Sequence, residues 1–169
     1  MVEVTRKLAI TYIKHKGFLD VSKLIQSIRG WFLDNRYDFH FPKHKYAGPA
    51  GAAEQELEMY GERKMTEYVQ FKISLLIRLY DLKDVEVVKN GEKIMSSTGR
   101  AAVEITPMMT LDYAKRFGGS VFMQTLQDIY HRYVIRTTID DIWEDNIYMQ
   151  VTDLAKLIKK QFQQETASA

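Results

Sequence analysis

The stretch TEYVQFKISLLIRLY, residues 66–80, decides how the chain folds. Val69, Phe71, Ile73, Leu75, Ile77 and Leu79 occupy the odd positions, while Gln70, Lys72, Ser74 and Arg78 stand at even ones. A period of two across this length predicts a long antiparallel strand, with one side in a core and the other wet.

Reading outward, Asp81 to Asp84 is expected to turn the chain into a strand at residues 85–88. Asn90-Gly91 is the preferred pair for a tight hairpin, leading into residues 93–95. Ser96 to Gly99 is expected to break that strand, and residues 100–106 resume extended structure before Pro107. Upstream, residues 2–13 are rich in β-branched side chains and read as a strand that Lys16-Gly17 ends. Asp20 can cap a helix over residues 20–34, where Val21, Leu24, Ile25, Ile28 and Phe32 recur at helical steps and Asn35 closes the end. Tyr37, Phe39 and Phe41 alternate with Asp38, His40 and Pro42; the proline predicts an edge strand or an interruption. After the Gly48–Gly51 loop, residues 54–60 form another strand, and Gly61 marks a bulge or the approach to a turn.

Past Pro107 a helical period takes over. Ser120 can cap a helix over residues 120–133, and Trp143, Ile147, Val151, Leu154, Ile158 and Phe162 form a second stripe before a frayed, disordered tail at 164–169. The expected fold is one α+β domain, residues 1–163: an antiparallel sheet covered on one face by the early helix and the long C-terminal helices. This order resembles the helix-grip topology of START and Bet v 1-like domains, which implies a curved sheet wrapped around a long C-terminal helix and an internal cavity. Here, however, a single helix separates the first strands. The segments Tyr37 to Phe39, Gly48 to Gly51, Glu62 to Val69 and Leu111 to Tyr113 are similar to an uncharacterised family of small archaeal proteins, a resemblance that implies no function.

Composition narrows the chemistry. The chain has 169 residues, 46% hydrophobic and 27% charged, so disorder as its main state is excluded. It has no cysteine, which removes disulfides, thiolate nucleophiles and cysteine-bound metals together. No stretch is apolar enough for a membrane span, and Arg6-Lys7 occupy the place of a signal peptide's apolar run, so a cytoplasmic location is expected. A net charge of +2 is too small to hold a polyanion by summed charge. The excess is uneven, with nine Lys/Arg against four acids in residues 1–52, the cations including Arg6, Lys7, Lys14, Lys16, Lys43 and Lys45. These cations share no predicted helix, which argues against a nucleic-acid face.

His40 and His44 with Glu56 have the donor types of a zinc site, although residues four apart in a straight strand lie about 13 Å from each other. Tyr68 and Tyr80, with Lys72 and Arg78 between them, mix aromatic and basic groups as single-strand binders do, but cross-strand packing and pairing with Glu54, Glu56 or Glu58 explains them more cheaply. Asp140, Asp141, Glu144 and Asp145 read as an acidic helix start. The expected function is therefore a non-enzymatic binding or interaction domain without cofactor. It would either enclose an apolar small molecule between sheet and C-terminal helix, or pair through residues 139–163, with Trp143, Ile147, Val151, Leu154 and Ile158, to a protein partner or a second copy. The alternatives are a metal-dependent enzyme using His40, His44 and Glu56, and nucleic-acid binding through the basic N-terminal part.

Overall fold

The computed structural model describes residues 4–47, 54–89, 92–113, 125, 129 and 142–167. In chain order these form β1 (Val4–Lys7), β2 (Thr11–Leu19), α1 (Val21–Asp34), β3 (Asp38–Ala47), β4 (Glu54–Lys64), β5 (Val69–Lys89), β6 (Glu92–Leu111) and α2 (Glu144–Ala167). Apart from Thr125 and Ile129, both helical, the expected helix at 120–133 lies outside the described residues, as do Asp140 and Asp141 and the turns at 48–51 and 90–91. The sheet is antiparallel in the order β1-β6-β5-β4-β3, and β2 continues the β1 edge along β6. Both described helices pack on one of its faces, giving the α+β arrangement expected, compatible with a helix grip. Among the described residues no helix is long and apolar enough to cross a membrane.

The alternation that opened the sequence reading is realised fully. Val69, Phe71, Ile73, Leu75, Ile77 and Leu79 are at most 3% exposed, as are Ala101, Val103, Ile105, Met109 and Leu111 opposite them on β6. Leu24, Ile28 and Phe32 of α1 close one side of this core; Ile147, Val151, Leu154, Ile158 and Phe162 of α2 close the other. Asp20 caps α1 by accepting from the Lys23 backbone N–H at 2.9 Å. At the far end Asn35 acts through its side chain, whose Nδ2 donates to Trp31 O at 2.9 Å, and the left-handed residue is Arg36 (φ 60°).

Four expected breaks are bends in continuous strands. β2 runs through Gly17 to Leu19, β5 through the expected turn at 81–84 to Lys89, and β6 through both 96–99 and Pro107. Gly17 (φ 142°) pairs with Gly99, and the β5–β6 register shifts between Tyr80 and Lys83, where Asp81 takes φ 54°. A Cβ on Gly99 would stand 2.9 Å from Tyr80 O, so the missing side chain leaves room for the bulge. Pro107 is tolerated for a related reason. Its carbonyl accepts from Leu8 N at 3.1 Å, so its missing N–H points to that same side, where pairing lapses between β1 and β2. The tail expected to fray is helical to Ala167.

Gly61 is not a bulge. It lies buried in an unbroken β4 ladder, and the turn falls at 65–68. A Cβ there would sit 2.4 Å from the Phe32 ring, which is itself held edge-on to Tyr37 and Trp31. Helix α1 therefore rests directly on the sheet backbone. Replacing Gly61 by Ala should destabilise the fold by about 1–3 kcal/mol. Denaturant unfolding of Gly61→Ala, alone and with Phe32→Leu, checks this; the smaller side chain should recover part of the loss.

Candidate functional site

Because odd positions of β5 point into the core, even positions line the opposite, outer face, and strand register arranges them in rows. One row reads Tyr12, Glu104, Leu76, Glu58; the next, Lys14, Ala102, Arg78, Glu56. On the other side of these come Thr106, Ser74, Tyr60, His40 and then Lys7, Met108, Lys72, Glu62, Asp38.

Cross-strand pairing consumes two of the expected cations. Lys72 Nζ lies 2.8 Å from Glu62 Oε1 and 4.0 Å above the centre of the Tyr60 ring. Arg78 Nε lies 3.4 Å from Glu56, with a second contact to Glu104 at 3.9 Å. At their partial exposure each ion pair contributes less than about 1 kcal/mol, but together they neutralise the centre of the outer face. Tyr68 is not part of it. β5 begins at Val69, and Tyr68 belongs to the preceding turn, where its carbonyl accepts from Asp112 N at 2.8 Å.

The structure does not bring the two histidines together. The register of β3 shifts between His40 and Lys43, so His40 pairs with Tyr60 on the outer face while His44 pairs with Leu57 on the helix side. The His40 ring stacks on Tyr60 with centroids 4.8 Å apart, and His44 Nε2 is 3.3 Å from Gln55 Oε1. Opposite faces of one sheet cannot ligate one ion, and Glu56 is engaged by Arg78. Among the described residues no group of three His, Asp or Glu could hold a metal.

The stripe on α2 is spent inside the chain. Ile147, Leu154 and Ile158 are 0% exposed and Val151 2%, while Trp143 meets Phe71 edge-on at 6.0 Å. What α2 leaves outside includes Tyr148 and Met149. The acidic start expected nearby is partly committed too: Glu144 pairs with Arg6 at 3.2 Å.

The same β3 shift opens a feature that sequence reading missed. Beside Pro42 lies a cleft of about 280 Å³ on the outer face, walled by Glu58, Tyr60, Ser74 and Thr106 and floored by Leu76. Its signal was present, since Leu76 is an aliphatic side chain in the polar half of the alternation. Also missed was Tyr37, 2% exposed where α1 meets β3. Its hydroxyl donates to Gln150 Oε1 at 2.6 Å, tying the α1–β3 junction to α2. Burial pushes this phenol well above the usual tyrosine range, opposed in part by the Arg63 guanidinium over its ring.

Scans against protein-family models and curated proteins find no match to this chain. Among solved structures, one similar protein is an uncharacterised protein from Rhizobium leguminosarum, 7% identical with a TM-score of 0.23, covering 95% of this chain and 99% of its own. Another is norcoclaurine synthase from Thalictrum flavum, solved with dopamine and hydroxybenzaldehyde: 9% identical, TM-score 0.20, covering 79% and 88%. At these TM-scores neither carries a residue or a role to this chain, and neither comparison supports the archaeal resemblance.

The Tyr37 environment has a measurable consequence. Because the folded state holds its proton more tightly than the unfolded chain, Tyr37 stabilises fully below pH 10 and this contribution is lost as pH rises above it. Unfolding free energies of wild type and Tyr37→Phe should therefore converge with rising alkalinity, by up to about 1.4 kcal/mol per pH unit. At neutral pH the variant should be less stable by about 1 kcal/mol, the worth of its hydrogen bond.

Proposed function

We propose that this chain is a non-enzymatic binding domain whose recognition surface is the outer face of its sheet, with the cleft beside Pro42 as the pocket. The observation that carries this reading is the cleft itself, about 280 Å³ between Pro42, Tyr60, Ser74 and Leu76. That volume lies at the lower end of small-molecule sites, so the occupant is a small group. Leu76, Pro42 and the Tyr60 ring favour an apolar or aromatic body. The hydroxyls of Tyr60, Ser74 and Thr106 can each donate or accept a hydrogen bond, which favours a neutral polar edge.

Two packing features support the outer face over the space beneath the helices. The Phe32 ring fills the position of a Gly61 side chain, which closes the sheet–helix space at α1. On the α2 side the His15 and Phe162 rings stack at 4.4 Å, nearly parallel. Pairing through the α2 stripe finds little surface to use, since its large side chains are already buried against the chain's own sheet.

Phenol is a suitable probe, with an aromatic body and one hydroxyl. Titrated into isotopically labelled protein, it should shift the amide resonances of Ser74, Leu76 and Thr106, with roughly millimolar affinity. Ser74→Trp, which fills the cleft and leaves the core side untouched, should abolish those shifts. Shifts centred on Phe32, Val151 and Ile158 would put the ligand beneath the helices and overturn the proposal.

A further inference from the structure

The outer face has a second feature at its opposite edge, three strand spacings or roughly 14 Å from β4. Lys7, Lys14 and Lys16 have Met108, Ala102 and Arg100 as register partners, and these are even positions of β6 that face away from the helices. The three lysines therefore project from one face of the β1/β2 edge. All three are exposed, and none of their side chains has a hydrogen bond or ion pair among the described residues. This sets them apart from three other cations of the face. Lys72 is held by Glu62, Arg78 by Glu56 and Arg100 by Asp81.

Tyr12 stands in the same file, between Lys7 and Lys14, and is 64% exposed. Its register partner Glu104 is the one acid adjoining the file on β6, and it faces Arg78. An aromatic ring left this open on a strand has few contacts of its own to account for it. Lys14 and Lys16 are two residues apart, hence roughly 6.7 Å along the strand, a spacing that an extended phosphodiester chain can follow. Unpaired ammonium groups beside a free ring supply both halves of single-strand recognition, phosphate attraction and base stacking. An acidic peptide would use the lysines and leave Tyr12 without a role.

We propose that the file Lys7, Tyr12, Lys14 and Lys16 binds single-stranded nucleic acid, with the lysines on phosphates, one base stacked on Tyr12, and no sequence preference. This site does not depend on the cleft, so the phenol experiment can fail without affecting it. A net charge of only +2 does not oppose it, because these cations are concentrated and unneutralised among the described residues, while Lys72, Arg78 and Arg100 are paired. It does limit the affinity and make it sensitive to salt.

The test is fluorescence anisotropy with a labelled oligothymidine of about twelve nucleotides. Three phosphate contacts predict about a hundredfold loss of affinity for each tenfold rise in salt. Tyr12→Ala should weaken binding about tenfold with the salt dependence unchanged. The double variant Lys14→Ala/Lys16→Ala should reduce the salt dependence to about fivefold per tenfold rise. Lys159→Ala, on the exposed side of α2, should change nothing. These side chains are all exposed, so circular dichroism should report an unchanged fold. Absence of binding at low salt would overturn the proposal. So would Tyr12→Ala binding as tightly as wild type while polyglutamate competes as well as unlabelled oligonucleotide, since that result describes an acidic-protein surface.

Discussion

The pairing of β5 with β6 is the constraint from which the rest follows. Their inward side chains are almost completely removed from water, and a fully buried aliphatic or aromatic group contributes roughly 1.5–3 kcal/mol. A one-residue slip of β5 would expose its own half of that set and bury Lys72 and Arg78 in its place. The register is therefore fixed by solvation alone. Once it is fixed, both helices must lie on the odd side, and every even side chain becomes part of the outer face. The rows Tyr12–Glu104–Leu76–Glu58 and Lys14–Ala102–Arg78–Glu56 are consequences of where the apolar half went.

What could be read from sequence was what repeats. The alternation of residues 69–79 and the helical spacing of Leu24, Ile28 and Phe32 each depend on a period, and a period survives without knowledge of neighbours. Continuity did not survive, because Gly17, Gly99, Asp81 and Asp84 carry the same local signal whether a strand ends or bends. Deciding between the two requires the register, and the register brings Gly17, Gly99 and the Tyr80–Lys83 bulge to one level of three adjacent strands. Gly61 was opaque for a similar reason. Its role is set by the Phe32 ring, which comes from a helix nearly thirty residues earlier. Leu76 was the exception that sequence did display, an aliphatic residue on the wet parity whose purpose became visible only with Pro42 beside it.

Electrostatics divides along the same line. Residue counts give a nearly neutral chain and a basic first third, but counts carry no faces. On the sheet, the acids of β4 sit between cations of β5 and those of β3's sequence, and direct cross-strand register neutralises Lys72 and Arg78. Lys7, Lys14 and Lys16 share their edge with no acid of the same strand. Two sets of cations that look alike in composition thus differ in what they can still attract, and the difference is one of strand order.

The shift in β3 shows how one backbone residue can remove one candidate site and make another. In an unshifted ladder His44 would stand opposite Glu56, on the same face as His40 and Tyr60. The extra residue between His40 and Lys43 moves Lys45 to that position and turns His44 to the helix side. The separation of the imidazoles is thus a property of the bulge rather than of side-chain choice. Pro42, which lacks an N–H to pair with β4, occupies this irregularity. Where the ladder lapses, Leu76 on β5 is left without the cover of a regular edge strand, and the cleft forms between Tyr60, Ser74 and Thr106. The metal reading and the cleft are therefore alternatives imposed by the same register, and the bulge selects the cleft.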